Sequence, residues 1–236
     1  MPSDRDEHLP RLNEGWLAPL ETRAISWLAP RLPHRLTPDR LTGLGFAASI
    51  TAFAGYALTP GHAAWLWLVN AALIVNWFGD SLDGAVARLR GIERPRYGFF
   101  LDQSTDVLAQ FLFAMGLGIS GYMPMTIAAT GLAVFLMMSV QSLLRAQVTS
   151  VFHLAAGRMG LTELRCVFFA LNAAFYFLPP RPFEVGGLST TYSEVLGVAW
   201  IAGTLGLYVA TMITEAKRLS REEPPQSPVS SFRRDD

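Results

Sequence analysis

The sequence predicts an all-α integral membrane protein with six transmembrane helices, preceded by an amphipathic helix lying in the membrane interface. Three observations support this fold class. Of the 236 residues, 51% are hydrophobic and only 16% are charged. The apolar residues are concentrated in separate stretches, and a bilayer core needs about 20 apolar residues per helix. Lysine and arginine, in turn, collect at alternate ends of these stretches.

The six candidate spans together cover residues 41 to about 216, and two of them are short. They are 41–59, 63–77, 99–120, 125–147, 164–178 and 195–214. Basic residues precede the first span, lie between the second and third, flank the fourth-to-fifth connection and follow the sixth, whereas the other connections contain only Arg181. Positive residues remain on the cytoplasmic side of a membrane. We therefore expect a protein of the cell membrane or inner membrane whose two termini, and whose bundle end near residues 80–106, face the cytoplasm.

The chain divides into one membrane domain, residues 13–219, and two polar tails. Residues 1–12 and 220–236 are rich in charge and proline or serine, which predicts disorder. The net charge is zero and gives no sign of a nucleic-acid partner.

An interfacial helix is predicted at about residues 15–30. Leu20, Ala24, Trp27 and Leu28 share one helical face, and a tryptophan-bearing amphipathic segment is typical of a helix lying at the membrane surface. The alternative is an exposed linker helix. After it, Thr37 and Pro38 predict the N-cap and first residue of the first span.

Four aspartates flank the connection between the second and third spans. Asp80 and Asp83 are three residues apart, and Asp102 and Asp106 are four apart, so each pair shares a helical face. If the two helices are adjacent, all four carboxylates point into one cavity. Ionisable residues at membrane depth usually mark a functional site. The alternative is that they are water-exposed residues or caps at helix ends.

Charge and ligand chemistry suggest what this cavity binds. Carboxylates without histidine or cysteine suit hard cations such as Mg²⁺ or Mn²⁺. Two divalent ions balance four carboxylates, and Arg88 adds the charge needed by a diphosphate. The small residues Gly84, Ala87 and Gly98 allow a ligand or a neighbouring backbone to approach closely. A two-metal clamp on a diphosphate is therefore the preferred interpretation.

The order of these residues resembles the signature of the CDP-alcohol phosphatidyltransferases at eight fixed positions. They are Asp80, Asp83, Gly84, Ala87, Arg88, Gly98, Asp102 and Asp106. The resemblance implies a homodimer of six-helix subunits with a polar cavity open to the cytoplasm. It implies that the four aspartates hold two divalent cations, that Asp106 is also the general base, and that Asp83, Gly84, Ala87, Arg88 and Gly98 surround the CDP group.

Two departures from the signature lie between the aspartate pairs. Nine residues, Leu89 to Tyr97, separate the arginine from the second glycine, where the family usually has about eight. Pro95 replaces a common serine or threonine, so a hydroxyl contact to the nucleotide is missing or supplied by another residue. Neither change affects the aspartates.

The expected reaction transfers a substituted phosphate from a CDP-alcohol, preferably CDP-diacylglycerol, to an acceptor hydroxyl with release of CMP. An alternative direction uses a CDP-linked head group and a lipid acceptor. Two alternatives come from other functional classes of protein: a cation-binding transporter and a catalytically silent scaffold. Arg145, Arg158 and Arg165 are interpreted as charges that set topology or reach the interface, with binding of a substrate phosphate as the alternative.

Overall fold

The computed structural model describes residues 11–12, 15–149, 152–153 and 160–223, and this part of the chain is mainly α-helical. The all-α prediction is therefore confirmed for the described residues. A 3₁₀ turn at Ala29–Arg31 follows the first helix. The helices are α1 Ala18–Leu28, α2 Pro38–Leu58, α3 Trp65–Arg90, α4 Pro95–Ile119, α5 Met125–Thr149, α6 Leu161–Phe177 and α7 Tyr192–Glu222.

Two very short strand pairs accompany the helices. In the first, β1 (Arg11–Leu12) pairs in parallel with β2 (Phe152–His153). In the second, β3 (Phe183–Val185) pairs with β4 (Leu188–Thr190) in an antiparallel hairpin between α6 and α7.

Local chemistry explains where several helices begin and end. The Thr37 hydroxyl accepts a hydrogen bond from the Arg40 N–H at 3.4 Å, with Pro38 in the first turn, as expected for an N-cap. Helix α7 begins with a capping box between Thr191 and Glu194. Helix α3 ends at Gly91, whose φ of +64° is readily adopted by glycine.

The helices extend beyond the apolar stretches in ways that matter for the site. The second predicted span ended at residue 77, but α3 continues without interruption to Arg90, so Asp80 and Asp83 lie within a continuous helix. Likewise, α7 reaches Glu222, three residues into the predicted C-terminal tail, and Arg11–Leu12 of the predicted N-terminal tail forms β1. Residues 1–10 and 224–236 of the predicted tails lie outside the described residues.

A close helix contact joins α2 and α3 near the aspartates. The backbone of Gly79 lies against the Leu41 carbonyl oxygen and against Gly45, and a Cβ at Gly79 would stand 2.6 Å from the Gly45 nitrogen. Glycine is therefore required at position 79 to let the two backbones approach. Elsewhere α2 also packs on α4, α4 on α5, α5 on α7, and α3 on α6.

Helix α1 covers the aspartate end of the α2–α3 pair. Its residues Ile25 and Leu28 pack against a buried cluster that includes Leu41 and Leu82. Leu20 and Trp27 of the helix are exposed, as is Trp16 in the turn that precedes it. A helix is thus present within the predicted range 15–30, and its place in the membrane interface stays a prediction.

Three helices within the described ranges are long and apolar enough to cross a membrane. They are α2, α5 up to Val148, and α7. The chain therefore has helices suited to an integral membrane location.

Candidate active site

Three of the four predicted carboxylates meet between α3 and α4. One oxygen each from Asp80, Asp102 and Asp106 lie within 4.8 Å of one another, and all three residues are partly buried. Helices α3 and α4 are consecutive, and their aspartate-bearing ends lie together. The three-residue and four-residue spacing of the aspartates therefore directs these three side chains into one cluster. These three residues are called the carboxylate cluster below.

Asp83 lies outside the carboxylate cluster, although it is one turn from Asp80 on α3. Its Oδ2 accepts a hydrogen bond from the Thr42 hydroxyl of α2 at 2.5 Å. The residue lines a polar cleft instead. The close α2–α3 contact at Gly79 brings Thr42 within reach of this carboxylate.

The polar cleft has a volume of about 400 Å³ and lies beside the carboxylate cluster. Asp102 belongs to both. The cleft contains five residues predicted to bind metal or nucleotide, and its walls are Thr37, Pro38, Asp39, Thr42, Asp83, Gly84, Ala87, Ile92, Arg94, Tyr97, Gly98, Leu101 and Asp102. Among the described residues, no atom beyond the glycine's own stretch of helix lies within 4 Å of the position a Cβ would occupy at Gly98, so this glycine faces open space there.

Arg88, the arginine of the signature, is exposed and does not line the cleft. Its guanidinium lies over Gly84, 3.3 Å from the position of a Cβ added there. Its flexible side chain is thus next to the cleft wall.

A second arginine, Arg94, lines the cleft directly and was missed by sequence reasoning. It forms an ion pair with Asp39 and lies over the Tyr97 ring, 4.1 Å from the ring centroid. The hydrogen bond to Asp39 raises the pKa of the Arg94 guanidinium. The only signal in the sequence was its position within the lengthened spacer, next to Pro95.

Arg165 of α6 points into the protein and contacts the carboxylate cluster. Its Nη2 is 2.7 Å from Asp80 Oδ2, and its Nε donates to Asn76 Oδ1 at 2.7 Å. The interpretation of Arg165 as an interface charge is therefore wrong, since the residue is only 8% exposed. Arg145 pairs with Glu215 of α7 at 2.7 Å, and Arg158 lies outside the described residues.

Two glutamates connect the N-terminal segment to the site. Glu21 Oε1 accepts hydrogen bonds from Trp77 and Ser81 of α3 and from Thr162 of α6, at 3.1, 2.9 and 2.7 Å. Glu163 Oε1 accepts from the Leu17 N–H at 2.8 Å. Helix α1 is thereby fixed across the two helices that carry Asp80 and Arg165.

An apolar cavity of about 380 Å³ lies among α4, α5, α6 and α7. Gln110, one turn beyond Asp106 on α4, forms part of its wall. Its Oε1 is buried and has no hydrogen-bond partner among the described residues. The rest of the wall is almost wholly apolar, with Phe113 and Trp200 among its larger side chains.

The carboxylate cluster fits a hard divalent cation. Its donors are all carboxylate oxygens, they converge within the span of one ion's ligand shell, and oxygen-only donor sets favour Mg²⁺, Mn²⁺ or Ca²⁺. An uncompensated carboxylate cluster at a partly buried position is unfavourable, and Arg165 offsets only one charge.

Converging carboxylates beside an open polar cleft suit a divalent cation and a phosphate-bearing ligand. Comparison with known families identifies the class of protein that has this site. The model of the CDP-alcohol phosphatidyltransferases matches residues 35–212. The chain belongs to this family, and the resemblance noted in its sequence is confirmed.

Curated relatives agree with this assignment. The archaetidylinositol phosphate synthase of Methanothermobacter thermautotrophicus is 31% identical over 176 residues, covering 73% of this chain and 85% of the relative. The enzyme of the same name from Pyrococcus horikoshii is 39% identical over 85 residues, 35% of this chain and 42% of that protein. The inner membrane protein YnjF of Escherichia coli is 38% identical over 81 residues, which cover 34% of this chain and 36% of that protein.

The protein is accordingly a membrane transferase of phospholipid biosynthesis. It transfers a substituted phosphate group from a CDP-alcohol and releases CMP. The match begins at residue 35, so α1 and Glu21 lie before the stretch that defines the family.

Proposed function

We propose that the enzyme uses a CDP-linked lipid, CDP-diacylglycerol or a close analogue, as donor and a small polyol as acceptor. The observation that carries this proposal is the polar cleft, which gathers Asp83, Gly84, Ala87, Gly98 and Asp102 on its walls beside the carboxylate cluster. The apolar cavity that begins one turn beyond Asp106 supports a substrate with acyl chains.

The four aspartates, Asp80, Asp83, Asp102 and Asp106, would hold two divalent cations, Mg²⁺ or Mn²⁺. Bound there, the ions would offset the charge of the diphosphate and of the departing CMP. Asp83 would join the other three through the lone pairs that remain on its carboxylate, since Oδ2 accepts from the Thr42 hydroxyl and Oδ1 accepts from the Gly84 N–H.

The protein's own groups would perform the remaining tasks. Asp106 takes the proton of the acceptor hydroxyl. The hydroxyl oxygen then forms a bond to the phosphorus farther from the cytidine, and the bond from that phosphorus to the bridging oxygen breaks, so that CMP leaves with the electron pair. Arg88 and Arg94 lie beside and within the cleft, where their charges favour a phosphate group.

The nucleotide contact left open by Pro95 has candidates in the cleft. Thr37 and Thr42 carry hydroxyls on its wall, and Tyr97 presents an aromatic ring there. Thr42 already donates to Asp83, and Thr37 already accepts from the Arg40 N–H. A pyrimidine ring placed against Tyr97 would use a face that needs no hydroxyl.

In the membrane, we propose that α2 to α7 are the six spans and that α1 lies in the cytoplasmic interface through Trp16, Leu20 and Trp27. The basic residues at alternate helix ends support cytoplasmic termini and a cytoplasmic active site. A homodimer is proposed on the family resemblance alone.

The acceptor is proposed from the relatives. The two archaeal enzymes are named archaetidylinositol phosphate synthases, so inositol phosphate is the first acceptor to test, followed by other phosphorylated and free polyols. The reverse direction, transfer of a CDP-linked amino alcohol to a lipid, is the second candidate.

The test is CMP release by the purified protein. We expect release with CDP-diacylglycerol plus a polyol and Mg²⁺, and none with CDP-linked amino alcohols plus diacylglycerol. Asp106→Asn should lower kcat by about 10²–10⁴-fold, the usual contribution of a general base, while binding of CDP-diacylglycerol persists. Glu222→Gln, which likewise converts a carboxylate to an amide but at the exposed end of α7, is the control. Appreciable turnover by Asp106→Asn would exclude the assigned base, and CMP release only from the amino-alcohol donors would reverse the proposed direction.

A further inference from the structure

Arg165 is a buried cation whose partners belong to the active site and to the helix core, so neither the membrane interface nor solvent satisfies it. The side chain is 9% exposed and its partner Asp80 is 20% exposed. A charge taken out of water to this degree is maintained only with good partners.

We propose that Arg165 is a positioning residue: it holds one oxygen of Asp80 so that the other is presented to a divalent cation. The proposal rests on the cation site proposed above and extends it to a residue on α6. The orientation of the Asp80 carboxylate on α3 is thus set by a residue of another helix, 85 residues away in the sequence.

The guanidinium is itself fixed, which a positioning group requires. Its Nε donates to Asn76 Oδ1, while the amide nitrogen of Asn76 donates to the Gly45 carbonyl and the Ser49 hydroxyl, each at 3.0 Å. Asn76 and Ser49 are buried. The chain of bonds therefore runs from the core of α2 through α3 to α6 and ends at Asp80.

This arrangement leaves Asp80 one defined orientation. The terminal torsion of an aspartate is broad, so a carboxylate without a partner samples many orientations. With Oδ2 held at 2.7 Å by Arg165, the carboxylate is fixed where one of its oxygens lies within 4.8 Å of oxygens of Asp102 and Asp106. An ion then binds a site that is already organised, which favours affinity.

The two-sided contact calls for arginine. The planar guanidinium can donate from Nε and from Nη2 in fixed directions, whereas an ammonium group is a single point with no such fork. Lysine at 165 would keep the charge near Asp80 but would give up the contact with Asn76.

Helix α1 supports the same pair from outside the family-matched stretch. Glu21 bonds to Ser81, next to Asp80 on α3, and to Thr162, three residues before Arg165 on α6. Its carboxylate also lies close enough to Arg165 to interact with it electrostatically. Glu21 therefore ties together the helices that carry the two partners.

The experiment measures binding of Mn²⁺ alone to the purified protein in detergent, by the loss of the free-ion EPR signal, without substrate. Partners of metal-ligating side chains typically contribute 10–100-fold in affinity or activity. We expect Arg165→Gln to weaken Mn²⁺ binding by about tenfold or more. Arg165→Lys and Asn76→Ala should show smaller losses, because both variants keep a positive charge at position 165 but lose the hydrogen bond to residue 76 that holds the side chain in place. Arg145→Gln, which removes the inter-helix ion pair with Glu215, should bind Mn²⁺ like the unaltered protein.

The half-saturating Mn²⁺ concentration for CMP release should shift in the same order, with the KM for acceptor unchanged. Unaltered or tighter Mn²⁺ binding by Arg165→Gln would overturn the proposal, as would an effect confined to the acceptor KM. If Arg165→Gln does not fold, normal Mn²⁺ binding by both Arg165→Lys and Asn76→Ala would overturn it equally. Since the Mn²⁺ titration needs no substrate, a wrong choice of donor or acceptor leaves its result intact.

Discussion

Replacing Gly79 by alanine tests whether the α2–α3 contact positions the site. Gly79 is buried, and the added Cβ would stand 2.6 Å from the Gly45 nitrogen and closer still to the Leu41 carbonyl oxygen. Neither obstacle is a flexible side chain. The two helices must therefore move apart for the methyl group to fit.

The size of this movement follows from the distances. An ordinary van der Waals contact begins at 3.4 Å, so the backbones must separate by at least about 0.8 Å at Gly45, and by more at the Leu41 carbonyl. Leu41 is adjacent to Thr42, so the same movement would lengthen the 2.5 Å bond from Thr42 to Asp83 to about 3.3 Å. That exceeds the usual range for a hydroxyl donor. Overpacking of this kind typically costs 1–3 kcal/mol, or roughly 2–12 °C in Tm for a chain of this size.

Thermal unfolding in detergent, followed by tryptophan fluorescence, measures the loss, and CMP release measures its effect on the site. Gly43→Ala is the matched control, since a Cβ at position 43 of α2 meets no other element of the described structure within 4 Å. Both changes gain the same intrinsic helix propensity of about 1 kcal/mol, which cancels in the comparison. A Gly79→Ala protein that unfolds at the temperature of Gly43→Ala and retains full activity would refute the reasoning.

Two further substitutions separate binding from folding. Gly98→Ala adds a methyl group that meets no neighbouring element within the described part of the chain, so Tm should stay unchanged. The KM for the CDP-alcohol should rise several-fold, because the methyl group occupies cleft space. An unchanged KM would mean that no ligand approaches Gly98. Glu21→Ala removes three hydrogen bonds and should lower both Tm and activity, whereas Glu21→Gln keeps an accepting Oε1 and should retain most of each. Equal losses in the two Glu21 variants would contradict a role based on accepted hydrogen bonds.

The sequence predicted the helices and the convergence of Asp80, Asp102 and Asp106 for local reasons. Apolar periodicity fixes where helices form, and spacing of three or four residues fixes which side chains share a face. The short loop between α3 and α4 makes the two helices neighbours. All of these signals lie within about 30 residues of one another, which is the range over which local patterns are informative.

Arg165 and Glu21 were outside that range. Their partners are separated from them by 85 and up to 141 residues. A lone arginine at a helix start has the same local pattern whether it faces lipid head groups or a buried carboxylate. Only the packing of α6 on α3 decides between these cases, and hydrophobic periodicity does not specify which helices pack together. The sequence likewise could not predict that Asp83 lies apart from the carboxylate cluster, because its position depends on the contact with Thr42 of α2.

The order of residues along α4 supports the proposed direction of transfer. Gly98, Asp102, Asp106 and Gln110 follow one another at intervals of four, and so they form a stripe that runs from the polar cleft through the carboxylate cluster to the apolar cavity. A CDP-linked lipid has its parts in the same order: nucleotide, diphosphate, then acyl chains beyond the phosphorus farther from the cytidine. With the nucleotide near Gly98, that phosphorus would lie beside Asp106 and the chains would extend towards Gln110. A CDP-linked amino alcohol would fill only the polar half of the stripe, which is why the lipid donor is the better match.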